Sequence, residues 1–548
     1  LVLMGMVSSA LALLLTVVVS GAVARALPLS IPLPLVQIGL GVVLTLSVDL
    51  AFDLNPDVFF LLFLPPLLFL DGWRIPKQAL LQEKRAVLEL ALGLVLLTVL
   101  GLGLFIHWMI PAMPLAVAFA LAAVLSPTDP VAVSAIGARI PIPSRLMHIL
   151  EGESLLNDAA GLVCMRFAVA AVLSGAFSPL DAVATFLWLA GGGLASGVAV
   201  VWTATIAKNW VARRVGEEPG SQIVISLILP FAAYILAEHL GCSGILAAVS
   251  AGLTMSYLEQ SGQATASTRI RRTAVWDALQ FTVNGIIFVL LGAQLPTIVA
   301  PATWSSGTDG VGLPLLFAYV VAICLTLAFL RYLWVWLSLS FTMLRSRRST
   351  HDASRPGWRL TAVASLAGVR GAVTLAGVLT LPLSLNDGTP FPMRDLACSL
   401  AAGTIVISLI SSSLGLPLLL RGMKMPESPL VDERENRART LAAEAAIEAI
   451  GRARDLPFAD ETEPEVLADA QAEIVTLYRS RIEGWSRIDD DAQRVRRMDH
   501  LDRELRLLAL RAERDTMFRL ARTGQLPDDL ARRLVGELDL LEARHMPK

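Results

Sequence analysis

Charge, cysteine and histidine are all scarce in this 548-residue chain, and each scarcity closes off a class of protein. Only 17% of residues are charged against 55% hydrophobic, too little polar surface to cover an ordinary soluble core of this length. The four cysteines, Cys164, Cys242, Cys324 and Cys398, stand in apolar stretches without metal-type spacing. They read as small buried hydrophobes, with no disulfide framework. His107, His148, His351, His500 and His545 show no ligand spacing, and Glu238 and His239 read as interfacial. A net charge of −2 offers no basis for binding nucleic acid. No GxxxxGK[ST] sequence is present, so any work the chain does on a solute draws on a gradient rather than on ATP.

What charge there is lies unevenly. Residues 421–548 hold 23 Lys/Arg and 27 Asp/Glu, leaving 22 and 20 for the first 420. This divides the chain into a membrane domain, 1–424, and a soluble tail, 425–548. Apolar runs of spanning length fall at about 2–20, 33–51, 57–72, 86–109, 113–136, 147–176, 183–206, 221–240, 242–257, 275–296, 313–341, 360–383 and 395–420. The first lacks a small-residue cleavage site and is expected to remain as a membrane helix. Loops after odd-numbered runs carry eighteen Lys/Arg, and loops after even-numbered runs carry only Arg394. This bias predicts an outside amino terminus and a cytoplasmic tail, in a cell membrane of bacterial inner-membrane type. The expected fold is therefore all-α: a polytopic membrane protein of thirteen transmembrane helices with a helical cytoplasmic tail. In the tail, helical stretches are predicted at 438–453, 464–488, 490–522 and 528–544. Leu501, Leu505, Leu508 and Leu510 suggest an amphipathic bundle or a dimer contact.

The chemistry lies in three interruptions of this apolar pattern. In the sixth run, EGESLLNDAAGLV places Glu153, Asn157 and Asp158 within the membrane. A carboxylate at the bilayer centre costs roughly 2.5–3.5 kcal/mol even on lenient insertion scales, so such acids mark ion or proton paths. In the fifth run, Pro127 and Pro130 flank Thr128 and Asp129 and should break the helix, freeing carbonyls. In the twelfth, Gly368 and Gly371 bracket Arg370. Runs five and twelve are seven apart and so cross in opposite directions, the arrangement of inverted repeats whose two discontinuous helices build a midplane site. A hard cation such as sodium wants oxygen ligands, and Asp158, Ser154 one turn before it, and the Thr128–Asp129 break supply them. Glu153 is then the natural partner of buried Arg370, since an unpaired guanidinium there is prohibitive. Arg331, in an overlong run, is expected to snorkel. Asp129 also suits a capping role at the break. Arg166, two turns beyond Asp158, is open between tuning the site and pairing with another helix. Asn284 reads first as an interhelical hydrogen-bond donor.

The motifs TDPVAV (128–133), EGESLLNDA (151–159) and GVRGAV (368–373), in this order, resemble the signatures of NhaP/NHE-type sodium/proton antiporters of the cation:proton antiporter superfamily. The stretches 59–73, 240–253 and 284–296 fit the bacterial branch with a cytoplasmic tail. The resemblance implies a homodimer in membrane lipid with a mobile core, and electroneutral exchange associated with Asn-Asp. It implies an ion and proton site at Asp158, with Asn157, Ser154, Asp129 and Thr128 at the remaining positions and Glu153 with Arg370 as a structural ion pair. No cofactor is implied beyond the transported sodium ion and proton. Potassium or lithium in place of sodium, and a cation channel lined by the same carboxylates, are the rival expectations.

Overall fold

The computed structural model describes the chain apart from residues 1, 28–30, 48–55, 78–80, 82–83, 130–143, 175–178, 217, 260–265, 305–311, 347–357, 386–387, 422–428, 453–463, 487–489, 524 and 546–548. It divides into two units, Leu1–Met423 and Lys424–Lys548. The expected boundary at 424/425 falls outside the described residues.

The first unit runs α1 (Val2–Ala26), α2 (Leu33–Ser47), α3 (Pro56–Arg74) and α4, which passes from Lys84–Leu88 through a π-helical turn, Glu89–Leu94, into Val95–Met109. It continues with α5 (Leu115–Leu125), α6 (Ser144–Ser174), α7 (Pro179–Val215), α8 (Pro219–His239), α9 (Gly244–Glu259), α10 (Ala266–Trp304), α11 (Leu313–Ser346), α12 (Trp358–Leu366), α13 (Ala372–Leu379) and α14 (Arg394–Leu420). Among the described residues, eight helices are long and apolar enough to cross a membrane: α1, α4, α6, α7, α8, α10, α11 and α14. The remaining expected runs correspond to α2, α3, α5, α9 and the α12–α13 pair. Of these, α2, α5 and α9 are shorter apolar helices, α3 carries Pro65 and Pro66 within it, and the last pair is interrupted.

Two close crossings organise one side of this unit. α3 lies along α9 and α2 along α10, with glycines where the backbones meet. A Cβ on Gly252 would overlap the Phe69 carbonyl, and one on Gly292 would overlap the Ile38 carbonyl. In a membrane, where burial of apolar surface between helices gains little over lipid, such close backbone approach supplies the packing attraction. Phe69 stacks on Trp276 at 5.3 Å between centroids, and the Trp276 indole N–H donates to Ser226 Oγ at 3.2 Å, tying α3, α10 and α8 together. On the other side α5 is flanked by α4 and α6, and α11, α12 and α14 pack on one another. α5 is almost wholly buried from Val117 to Leu125.

The second unit contains α15 (Pro429–Gly451), α16 (Pro464–Ser486), α17 (Asp490–Arg522) and α18 (Asp528–His545). α15 pairs with α16 and α17 with α18. Leu507 and Leu510 of α17 and Val535 and Leu538 of α18 are buried, and Arg514 pairs with Asp539 at 3.1 Å and with Glu542. The four leucines expected on one amphipathic face are split: Leu510 is buried, whereas Leu501, Leu505 and Leu508 are exposed.

Candidate functional site

Two non-helical stretches cross within the first unit. α5 ends at Leu125, and Ser126 to Asp129 leave the helix; α12 ends at Leu366, and α13 resumes at Ala372. The stretches are fastened reciprocally. The Asp129 N–H donates to Val369 O at 2.7 Å, and Arg370 Nε donates to Leu125 O at 2.9 Å. Gly371 is required here because a Cβ would overlap the Asp129 carboxylate. The carboxylate thus lies at the start of α13, where a helix dipole favours negative charge. Pro130, the second proline of the expected break, lies outside the described residues.

The expected Glu153–Arg370 pair is replaced by another. Arg331 of α11 grips Glu153 of α6 through both nitrogens, NH1 to Oε1 at 2.5 Å and NH2 to Oε2 at 2.6 Å, while its Nε donates to Ala364 O at 2.9 Å. Both side chains are almost completely buried. Arg331 lies at the middle of a 34-residue helix, roughly 25 Å from either end at 1.5 Å per residue. Its side chain is almost completely buried rather than snorkelling outward, and Glu153 supplies its counter-charge. Arg370 instead donates to Leu125 O and to the Gly368 carbonyl. The Leu125 carbonyl is one that the end of α5 leaves without an intrahelical partner.

A small cavity of about 40 Å³ opens beside the crossing. Of the residues expected at the site it is lined by Thr128, Asp129, Ser154, Asp158 and Asn284. Asp158, Ser154 and Thr128 are buried. Asn157 stands behind the wall: its Nδ2 donates to Thr128 Oγ1 at 3.0 Å, and Thr128 Oγ1 donates to Glu153 Oε1 at 3.4 Å. A chain of polar contacts therefore runs from Arg331 through Glu153 to Thr128, with Asn157 bracing it. Arg166 is elsewhere, paired with Glu238 of α8 at 3.6 Å.

Three further polar residues line the cavity: Asp71 of α3, Gln280 of α10 and Thr374 of α13. Asp71 carries a sequence signal, an acid at the end of an apolar run in LFLDGW, but its nearness to Arg74 suggests an interfacial position. Gln280 shares a helix face with Asn284 four residues on. Three carboxylates thus converge on a cavity that, among the described residues, is lined by no lysine or arginine. Their mutual repulsion in a poorly solvated space is relieved by a cation or by protons. The hydroxyls of Ser154, Thr128 and Thr374 add neutral oxygens suited to a hard cation.

The family model described as "Sodium/hydrogen exchanger, transmembrane" matches residues 12–422. The chain is 39% identical over 504 residues to the uncharacterized Na(+)/H(+) exchanger YjcE of Escherichia coli, covering 91% of each chain. It is 36% identical over 498 residues to the sodium, potassium, lithium and rubidium/H(+) antiporter of Bacillus subtilis, covering 90% of this chain and 72% of the relative. The fold is similar to that of the sodium proton antiporter MjNhaP1 of Methanocaldococcus jannaschii, with a TM-score of 0.57 at 21% identity over 76% of this chain and 98% of that one. With the family match spanning nearly all of the helical unit that holds the cavity, this chain belongs to the sodium/hydrogen exchanger family.

Proposed function

We propose that the chain is a secondary antiporter that exchanges sodium for protons by alternating access, with Asp158 holding either a proton or a sodium ion but not both. The observation that carries this reading is the cavity itself, which Asp158, Ser154, Thr128 and Asp129 line together. Competition for one carboxylate couples the two fluxes without a further device. Asp71 and Asp129 add negative charge to the same space. Asn157 positions Thr128, and the Arg331–Glu153 pair holds α6 against α11.

The same reading takes the first unit as thirteen membrane segments, the fifth and the twelfth being the two discontinuous ones. Inverted repeats are supported by the packing. A shift of seven segments carries the second segment to the ninth and the third to the tenth. The glycine-mediated crossings are third on ninth and second on tenth, so the shift maps one crossing onto the other. The amino terminus faces outside and the tail the cytoplasm, following the basic loops, and the working form is a homodimer in the bacterial inner membrane.

A broader cation range is the second reading, favoured by the Bacillus subtilis relative, whose name includes potassium, lithium and rubidium. Oxygen ligands serve all of these ions. Purified protein in liposomes, with proton flux driven in turn by gradients of sodium, potassium and lithium, tests both readings. Flux with sodium alone supports the first, flux with all three the second, and ion flow without counter-movement of protons overturns both.

A further inference from the structure

A second and larger cavity, of about 570 Å³, lies between α6 and the group formed by α7, α8 and α9. Most of its wall is apolar, including Leu162, Val169, Leu189 and Ile245, and its charged residues are Arg166 and Glu238, with His239 beside them. Arg166 stands on α6 eight residues after Asp158, about 12 Å along the helix. Glu238 stands in the last turn of α8. The Arg166–Glu238 pair, at 3.6 Å, thus spans from the helix that carries the ion-site carboxylate to a helix of the opposite group. It sits at the opposite ends of α6 and α8 from Arg145, in the first turn of α6, and from Arg213 and Arg214, which precede α8.

The two ion pairs of α6 differ in kind. Arg331–Glu153 is buried and bidentate and joins α6 to α11. Breaking it would strand charge in a place without water, so it is suited to a permanent link. Arg166 and Glu238 have side chains 53% and 36% exposed and approach through a single long contact. Exposed pairs of this geometry are weak, which suits a contact made and broken at every turnover.

We propose that Arg166 and Glu238 form a latch across the seam between α6 and α8, closed in this conformation, that must open for Asp158 to be reached from the large-cavity side. The inference rests on the antiporter reading and adds to it two positioning residues that touch neither sodium nor the transferred proton. When closed, the guanidinium also stands in the approach to Asp158, where it repels an incoming cation, and Glu238 offsets that charge.

The test is a paired-cysteine variant, Arg166→Cys with Glu238→Cys, in a background lacking Cys164, Cys242, Cys324 and Cys398. It is reconstituted in liposomes and bridged with a short bis-methanethiosulfonate that reductant removes. Exchange by the background protein is measured first, and its absence there would count against the antiporter reading rather than against the latch. Bridging should reduce exchange at least tenfold, reductant should restore it, and either single-cysteine variant treated with the reagent should keep exchanging. Parental exchange by the bridged protein, or failure of the folded protein to bridge, overturns the latch. A second arm keeps all cysteines. Arg166→Glu should shift the half-saturating sodium concentration severalfold, and adding Glu238→Arg should bring it back. A double variant no closer to the parent than the single would also overturn the latch.

Discussion

Arg331 donates to both carboxylate oxygens of Glu153, at 2.5 and 2.6 Å, and through that one contact α11 is bound to the helix that carries Asp158. The pair lies one contact from the cavity wall, since Glu153 Oε1 also accepts from Thr128.

Breaking this pair should cost stability before it costs chemistry. Arg331→Ala and Glu153→Ala each leave a buried charge without its partner, and each should lose about 3–5 kcal/mol. Replacing both, as Arg331→Met with Glu153→Leu, should recover most of that loss. Thermal unfolding in detergent followed by size-exclusion chromatography reads this. Single variants that melt like the parent would show that the pair does not hold the helices together.

Asp158→Asn and Asp71→Asn should separate coupling from attraction. The first keeps side-chain volume but removes the exchangeable proton, so cation-driven proton flux should vanish in a folded protein. The second removes one of the three converging charges. It should raise the half-saturating sodium concentration up to about tenfold, ~1.4 kcal/mol, while leaving maximal flux largely intact. Parental sodium dependence in Asp71→Asn would place Asp71 outside the working site.

Apparent sodium affinity should weaken as pH falls. On the proposed mechanism protons and sodium contest one carboxylate, so each proton gained by the site is a sodium ion refused. The half-saturating concentration should rise by at most about tenfold per pH unit in the acidic range, the limit for one proton displaced per bound cation. Half-saturation that does not change with pH would mean separate sites.

Removing Lys424–Lys548 should leave a first unit that still exchanges ions. All the cavity residues lie between Leu64 and Thr374, within the first of the two units. The truncated protein in liposomes provides the measurement, with its folding checked by size-exclusion chromatography. A folded protein without flux at any pH would make the tail part of the transport machinery.

Much of the architecture follows from local chemistry that a sequence displays directly. Apolar runs of spanning length become helices because the backbone has no other way to satisfy its hydrogen bonds in lipid. The breaks are equally local: Pro127 ends the regular run after Leu125, and Gly368 and Gly371 coincide with the interruption between Leu366 and Ala372. Asp158, Ser154 and Thr128 reach one cavity because a four-residue spacing and a helix break leave few other places for their oxygens to go.

Partner choice was decided only by the tertiary structure. Arg331 and Arg370 are both arginines deep in apolar segments, and depth alone gives either an equal claim on Glu153. What separates them is which helix lies beside which. α11 brings Arg331 to the carboxylate, while the crossing stretches hand Arg370 the carbonyls of Leu125 and Gly368. Asp71 belongs to the same class: three residues from Arg74 along the chain it suggests an interfacial acid, and only the placement of α3 against α6 and α13 turns it toward Asp158. Coulombic and hydrogen-bond partners are fixed by distance in space, which a linear spacing specifies within one helix and leaves open between helices.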